Sequence, residues 1–348
     1  MEDTIRMAHG AGGRMMNNLI REVFAVPLDS PYLRKMADSA VVRQALPALS
    51  SASGCTGGLM QLAISTDSFT VRPLIFPGGD IGSLAVHGTV NDVAMSGAKP
   101  LWLTAGFILE EGLAVDTLRL VVRSMAESAR ETGVSIVAGD TKVVEQGHGD
   151  GIYICTTGVG IVPGGVTIGP DQASPGDQIL LSGTIGDHGI AVLSKREGLA
   201  FETELVSDSA PLSGLVEVLL AAAPQTHCLR DPTRGGLAAA LNELASTSQV
   251  GIEIQEGQIP VLPAVAAACE MMGFDPLTVA NEGKLIAFVP AAQAEPALEA
   301  LRSHPLGQNA ARIGVVTGDH PGMVLVGTGI GGRRVVDMPL GELLPRIC

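Results

Sequence analysis

Five aspartates lie at or near the ends of apolar segments, or within a helix of small residues. They are Asp38, Asp67, Asp92, Asp140 and Asp231. Mg²⁺ takes carboxylate, water and phosphate oxygens, and open α/β sheets bind ligands at strand ends. The set could therefore hold a metal–phosphate group. Taken singly, each is better explained as a helix cap or turn residue. Asp92 is harder to explain in that way, because an unpaired carboxylate in a helix of small apolar residues is costly.

A glycine cluster near the start reads His9-Gly10-Ala11-Gly12-Gly13. Closely spaced glycines let backbone N–H groups approach a phosphate without interference from Cβ atoms. The cluster lacks the Gly-Lys-Ser/Thr ending of a Walker A loop and follows no obvious strand. A phosphate cradle and an ordinary turn both fit it.

Two further residues could act on a substrate. Lys142 follows Asp140 and Thr141, and it could bind a phosphate or be a solvated surface lysine. Glu282 precedes an apolar segment, Leu285 to Val289. It could be a general base, a metal ligand or, viewed alone, a turn residue.

The chain ends in a thiol, Cys348, after a segment from residue 338 that contains two prolines and a glycine. That composition disfavours a helix docked on the core and predicts a mobile arm. Taken alone, an inert terminal cysteine is the better interpretation. The other cysteines form no CxxC pair, which argues against a zinc site. Cys155 and Cys269 are predicted in the core, and Cys55 and Cys228 are predicted to be structural.

Composition excludes several classes of protein. The chain has 348 residues, 46% of them hydrophobic, with a formal net charge of −14. This charge opposes nucleic-acid binding, and no apolar run has the length of a membrane span. The first residues do not resemble a signal peptide, so a cytoplasmic location is expected.

Strand-like runs alternate with helical patterns, which predicts an α/β fold with two domains. Helices are expected at 81–98, 114–132, 212–223, 235–246 and 264–272. Strands are expected at 62–64, 101–103, 134–137, 152–161, 178–181, 250–254, 285–289 and 313–316. A Gly- and Pro-rich stretch at 163–176 is the candidate linker. The predicted division is an arm at 1–36, domains at 37–162 and 170–337, and a tail at 338–348.

These segments together resemble one family over residues 9–348. The motifs, in order, are HGAGG, ADSAVV, STDSFTV, FPGGDIG, NDVAMSGAKP, AGDTKVV, RDPTRGGLAAALNE, NEG and a terminal PRIC. The chain resembles the hydrogenase maturation carbamoyl dehydratases of the aminoimidazole ribonucleotide synthetase-like superfamily. The terminal PRIC is specific to that family and favours a functional Cys348.

The resemblance implies two α/β (α+β) domains, a β-barrel shared between the N-terminal domains of a homodimer, and ATP and Mg²⁺ binding. It implies that a carbamoyltransferase partner of the HypF family loads Cys348. This chain would then use ATP to dehydrate the carbamoyl group to a thiocyanate. A scaffold–chaperone pair carrying iron, of the HypC and HypD families, would receive the cyanide for a [NiFe] hydrogenase.

The resemblance also implies residue roles. The five aspartates become metal ligands, and Cys348, Lys142 and Glu282 become the catalytic candidates. The nucleotide-binding candidates are His9, Gly10, Gly12, Gly13, Asn91 and Thr141. Arg346 is expected to offset the α-carboxylate beside the Cys348 thiol.

Two alternatives stay open on the sequence. One is another ATP-using enzyme of the superfamily, such as selenophosphate synthetase or thiamine monophosphate kinase. The former typically carries a reactive Cys or selenocysteine in its glycine-rich N-terminal loop, whereas no cysteine precedes Cys55 here. The other is a non-enzymatic thiol carrier.

Overall fold

The computed structural model describes residues 13–19, 21, 39–45, 59–199, 205–329, 331–341, 344 and 346–348. The predictions for His9, Gly10, Gly12, Asp38 and Cys55 lie outside the described residues.

The N-terminal unit contains three described helices and seven strands. The helices are α1 (Arg14–Leu19), α2 (Ile81–Ala94) and α3 (Val115–Thr132). The strands are β1 (Ala40–Ala45), β2 (Leu59–Phe69), β3 (Ile75–Phe76), β4 (Gly79–Asp80), β5 (Lys99–Glu110), β6 (Ser135–Val144) and β7 (Ile152–Ile161).

Five of these strands form one sheet in the order β1-β2-β7-β5-β6, in which β5 and β6 are parallel and the other neighbours antiparallel. Helix α2 packs on one face, where Phe69, Leu84, Leu103 and Ile154 are buried in a common cluster. Within the described residues the sheet is open, with β1 and β6 at its edges, and it does not close into a barrel.

Capping explains where α2 begins and ends. The Asp80 carboxylate accepts hydrogen bonds from the N–H groups of Gly82 and Ser83, and the Ser83 hydroxyl bonds back to Asp80. The predicted end at residue 98 is wrong. The helix stops at Ala94, because the chain turns there: the Ser96 hydroxyl bonds to a helix carbonyl and Gly97 takes a positive φ.

The C-terminal unit is built on a seven-stranded sheet, with β8 (Gln178–Leu181) and β11 (Ile286–Val289) among its buried strands. Its other strands are β9 (Cys228–Arg230), β10 (Gly251–Gln255), β12 (Ala311–Thr317), β13 (Val324–Gly327) and β14 (Arg333–Val335). The order is β14-β13-β10-β12-β8-β11-β9. Its helices are α4 (Asp187–Glu197), α5 (Ser213–Ala222), α6 (Gly236–Ser248), α7 (Pro263–Met272) and α8 (Ala294–Ser303).

The predicted strand ends at Asp67 and Asp140 are wrong, because β2 and β6 continue past both residues. Asp67 pairs with Thr156 of β7, and Asp140 pairs with Gly106 of β5. Both aspartates therefore project from within a strand. Asp231 follows the last residue of β9, a strand that the sequence did not predict.

The predicted core position of Cys155 is also wrong. Side chains alternate along β7, and this alternation places Cys155 on the exposed face of the sheet. Cys269 is buried, as the sequence predicted, and Cys228, for which a structural role was predicted, is buried as well. Within the described ranges, every helix is too short or too polar to cross a bilayer.

Candidate functional site

Three acidic side chains, Asp67, Asp231 and Glu282, interact in the space between the two units. Strands β9 and β11 are neighbours, which brings Asp231, just after β9, close to the turn that carries Glu282. Burial raises the pKa of Asp231 to about 6, and the nearby charge of Asp67 adds to the rise. Burial also raises the pKa of Asp67, and the Arg234 guanidinium opposes that rise.

Glu282 is the most perturbed member of this group. Burial, followed by the negative charges of Asp231 and Asp67, holds the pKa of its carboxyl well above its usual range. Only 4% of the residue is exposed. Its Oε1 atom has no hydrogen-bond partner among the described residues. Buried polar atoms without partners are rare and costly, so this oxygen is suited to meet a ligand.

A buried aspartate that sequence reasoning missed holds the Glu282 turn. The carboxylate of Asp208 accepts the N–H groups of Glu282 and Gly283, each at 3.1 Å, and pairs with Lys284 Nζ at 3.0 Å. Residue 283 has to be glycine, because a Cβ there would overlap the backbone carbonyl of Asp208. Asp208 lies in a serine-rich loop with no motif that marks it, so nothing in the sequence singles it out.

Asn91 braces the two units. Its amide nitrogen donates to the carbonyls of Ala210 and Glu282, and its amide oxygen accepts the Leu212 N–H at 2.7 Å. These bonds occupy both ends of the side-chain amide. The structure thus gives Asn91 a positioning role next to Glu282, and its predicted contact with nucleotide stays a prediction.

Asp92 is half-buried in α2, where its Oδ2 accepts the Ser65 hydroxyl of β2 at 2.7 Å. This bond offsets part of the cost of a carboxylate in a helix of small residues. Its role as a metal ligand stays a prediction.

Asp140, Thr141 and Lys142 lie in β6, where nearly every side chain is exposed. Lys142 Nζ bonds both oxygens of Asp140, at 2.8 and 2.6 Å, and this hydrogen bond lowers the pKa of the Asp140 carboxyl. In the part of the chain that the structure describes, Lys142 bonds to neither Glu282 nor Cys348. The catalytic role of Lys142 stays a prediction.

Gly13 has a structural partner. Its neighbour Arg14 donates its N–H to the Pro339 carbonyl at 3.0 Å, and a Cβ on Gly13 would overlap that same oxygen. The end of the glycine cluster therefore packs against the start of the tail. Phosphate binding by Gly13 stays a prediction.

Leu344 and residues 346–348 lie in the cleft between the units, outside any helix or strand. Leu344 and Ile347 are buried in an apolar cluster that contains Phe76 and Ile190, and Cys348 packs against its edge. Arg346 Nη1 pairs with Asp150 at 2.7 Å. The prediction that Arg346 supports the Cys348 thiolate remains untested, and so does the mobility of the tail.

The cysteines differ in burial. Burial raises the pKa of the Cys228 thiol to about 12 and that of Cys269 to about 11. Cys155 is exposed and Cys348 is half-buried.

The acidic group offers magnesium a partial set of ligands. Within the described ranges, no three His, Cys, Asp or Glu residues are arranged to hold a metal by themselves. The raised pKa values of Asp67, Asp231 and Glu282 nevertheless show that their negative charges are poorly compensated. Mg²⁺ commonly takes one or two carboxylates and completes its shell with water and phosphate oxygens. The residues fit a metal that arrives with a phosphate.

Comparison with known proteins identifies relatives along the whole chain. Residues 38–162 match the N-terminal domain of AIR synthase related proteins, and residues 174–327 match the C-terminal domain. The chain is 57% identical to the carbamoyl dehydratase HypE of Cupriavidus necator, over 99% of this chain and 95% of the relative. It is 47% identical to the HypE of Escherichia coli, over 99% of this chain and 100% of the relative.

Solved structures agree. A HypE structure in complex with ATP has a TM-score of 0.81 and 48% identity, covering 99% of this chain and 100% of that one. A structure of the HypE–HypF complex has a TM-score of 0.84 and 50% identity, covering 92% of this chain and 99% of that one. A thiamine monophosphate kinase from Aquifex aeolicus shares the fold alone. Its TM-score is 0.63 and its identity is 20%, covering 90% of this chain and 97% of that one.

Proposed function

The chain belongs to the HypE family of carbamoyl dehydratases, and on that premise we propose that it makes cyanide ligands for [NiFe] hydrogenase. The substrate is an S-carbamoyl group on Cys348, and the product is a thiocyanate on the same sulfur. The observation that carries the proposal is the docked chain end. Cys348 bonds to Thr70, three positions beyond Asp67, so the terminal residue lies beside the strand that carries part of the acidic group.

The reaction must remove an oxygen and two protons from the carbamoyl amide. ATP with Mg²⁺ would supply the phosphoryl group that makes the amide oxygen a leaving group. We assign Glu282 to take a proton from the amide nitrogen. Its Oε1 has no partner among the described residues, and its raised pKa makes it a stronger base once it is deprotonated.

Asp67 and Asp231 are the residues that we propose to hold the metal, because they interact with each other and with Glu282. Asp38, Asp92 and Asp140 remain further candidates. We propose that the His9–Gly13 loop covers the phosphates and that Thr141 contributes from β6, with Lys142 stabilising charge on the oxygen that leaves.

We propose a homodimer in which the N-terminal sheets pair through the uncovered face. Apolar side chains on that face are exposed in the single chain: Ile64 (36%), Trp102 (45%), Ile108 (45%) and Ile161 (38%). An apolar patch of this kind marks an interface. Pairing would also protect the open edge strand β6 and could complete a shared barrel.

The partners follow from the family. One HypE has been solved in complex with HypF, which supports a carbamoyltransferase of that family as the donor to Cys348. We further propose a HypC–HypD pair as the acceptor of cyanide, and a cytoplasmic location. The domain division at 37–162 and 170–337, with a tail that leaves the cleft for loading, belongs to the same proposal.

The test is mass spectrometry of the C-terminal peptide. The chain is co-expressed with a HypF partner, purified, and measured before and after addition of Mg-ATP. A carbamoyl adduct on Cys348 that loses one water only as ATP is hydrolysed supports the proposal. An unmodified Cys348, with an active partner and a folded ATP-binding chain, would contradict it.

A further inference from the structure

The docked tail is held mainly through its backbone. The Thr70 N–H donates to an oxygen of the Cys348 α-carboxylate at 3.0 Å, and the Arg72 N–H donates to the Arg346 carbonyl at 3.1 Å. The numbering runs in opposite directions along the two segments, so the last three residues pair with residues 70–72 in an antiparallel sense. They do so without forming a regular strand, because Arg346 has a φ of 55°. Backbone pairing of this kind recognises an extended peptide whatever side chain stands at its end.

The C-terminal unit contributes two side chains to the same segment. Arg196, near the end of α4, donates to the Arg346 carbonyl at 2.6 Å and to the Arg72 carbonyl at 2.8 Å. It therefore joins the tail to residues 70–72, the segment with which the tail pairs. His188, on the same helix, has its Nε2 2.8 Å from the Ile347 carbonyl.

His188 is arranged as a fixed donor. It is fully buried, and burial lowers the pKa of its imidazole, so the ring is neutral. A carbonyl can only accept, so Nε2 carries the proton. The other nitrogen, Nδ1, then accepts the Ser207 hydroxyl at 2.7 Å, and Ser207 in turn accepts the Ser209 N–H at 3.0 Å. This chain of bonds fixes the tautomer that the tail requires.

Arg346 is the tail residue that binds the N-terminal unit through its side chain as well as its backbone. Its Nη1 pairs with Asp150 at 2.7 Å, and its Nε donates to the Thr70 carbonyl at 3.2 Å. Tyr153 and Arg72 also contact Asp150, and with Arg346 they lower the pKa of its carboxyl. Tyr153 and Arg72 therefore hold the Asp150 carboxylate in place for Arg346.

We infer that Thr70, Asp150, His188 and Arg196 form a binding site for the C-terminal Arg-Ile-Cys, and that Asp150 and His188 are positioning residues for dehydration. The inference rests on the proposed function. The contacts described above go to backbone oxygens and to Arg346, so the site accepts the tail with a free or a loaded sulfur. It sets the place at which the sulfur and its adduct are presented.

The first experiment measures docking without catalysis. A carboxypeptidase is added to the full-length protein, and loss of Cys348 is followed by intact mass. Asp150→Asn keeps an acceptor for Tyr153 but removes the charge that Arg346 pairs with, so trimming should accelerate about tenfold, the factor expected for part of a charged hydrogen bond. Asp116→Asn is the matched control, because its side chain is 90% exposed on α3 and pairs with Arg119.

His188 is tested by a conservative and a disruptive variant. His188→Gln can still place an N–H near the Ile347 carbonyl, whereas His188→Leu fills the site without a donor. Trimming should stay close to the wild-type rate in the first and accelerate in the second, at equal thermal stability. Equal trimming in the two, or wild-type trimming in Asp150→Asn, would overturn the inference.

The second experiment separates positioning from structure. Protein isolated with a carbamoylated Cys348 is mixed with Mg-ATP, and single-turnover dehydration is compared with the rate at which HypF loads the free chain. Asp150→Asn should slow dehydration about tenfold and leave loading undiminished. Equal slowing of both steps would mean a general structural defect and would reject a positioning role.

The two proposals can fail separately. If wild-type protein never dehydrates its adduct, the proposed function fails, while the trimming assay still reports whether the tail site exists. If wild-type protein dehydrates and the Asp150 and His188 variants match it in both assays, the tail site is rejected alone.

Discussion

Two regions that carry predicted catalytic residues differ in how complete they are. Glu282 is enclosed, its backbone is held by Asp208, and its carboxyl interacts with Asp67 and Asp231. Lys142 lies on a strand exposed along nearly its whole length and bonds to Asp140, two residues away. The first region is organised within one chain. The second has the character of a surface that another molecule completes.

The largest effect should come from the enclosed region. Glu282→Gln removes the carboxylate that we assign as base, so single-turnover dehydration should fall at least ~100-fold with ATP binding retained. Thermal stability should be unchanged or higher, because Glu282 is repelled by Asp67 and Asp231. Glu299→Gln, exposed on α8, is the control for loss of an acidic side chain. A full rate in Glu282→Gln would end the base assignment.

The exposed region should show a different kind of defect. Lys142→Ala should slow dehydration about 100-fold, because a charge that stabilises the leaving oxygen is lost. If Lys142 serves the neighbouring subunit, a mixed dimer of Lys142→Ala and Cys348→Ala chains regains activity, since one site keeps both residues.

Co-expression with two different tags isolates that mixed dimer. Its rate is compared with those of the two parent homodimers, both of which should be inactive or nearly so. An inactive mixed dimer would place Lys142 and Cys348 of the same chain in one site.

A smaller change tests whether the exposed face is an interface. Ile108→Asp puts a charge on a side chain that is 45% exposed in the single chain, and it should convert dimers to monomers in sedimentation velocity. Met271→Asp, at 64% exposure on α7, should leave the mass unchanged. Dimers in both variants would move the interface away from this face of the sheet.

The smallest expected effect concerns the ion pair between Asp140 and Lys142 on β6. Asp140→Asn should leave the thermal midpoint unchanged, because the Asp140 and Lys142 side chains are 70% and 69% exposed and solvent screens their attraction. The midpoint is measured by calorimetry at two salt concentrations. A clear loss of stability would show that the pair is better shielded than the single chain indicates.

The sequence predicted elements well where one periodicity dominates. Helix α3, expected at 114–132, is found at Val115–Thr132, and Gly133 ends it in a left-handed conformation. Strands β7 and β8 have the expected bounds. Helices α4 and α8 were not predicted. Helix α4 contains polar side chains that are buried at the cleft, and its apolar pattern is correspondingly weak.

The site was predictable in its residue types more than in its arrangement. Motif resemblance singled out Glu282 and Cys348, but Asp208, His188 and Asp150 gave no signal. Their roles depend on backbone groups far away in the chain, such as the carbonyl of Ile347 bonded by His188. Local sequence patterns do not encode such long-range partners. The sequence placed Asp67 and Asp140 at strand ends, but pairing with the neighbouring strands extends β2 and β6 beyond these residues.

The burial of Cys228 and Cys269 bears on chemical selectivity. Thiols with pKa values near 12 and 11 stay protonated in neutral solution, and a protonated thiol is a poor nucleophile. An electrophilic carbonyl donor or a labile cyano group therefore meets no competing thiolate at these two positions. In the proposed dimer the face that carries Cys155 would also be covered. Of the four cysteines that the structure describes, the terminal one would then be the sulfur that an incoming electrophile can reach.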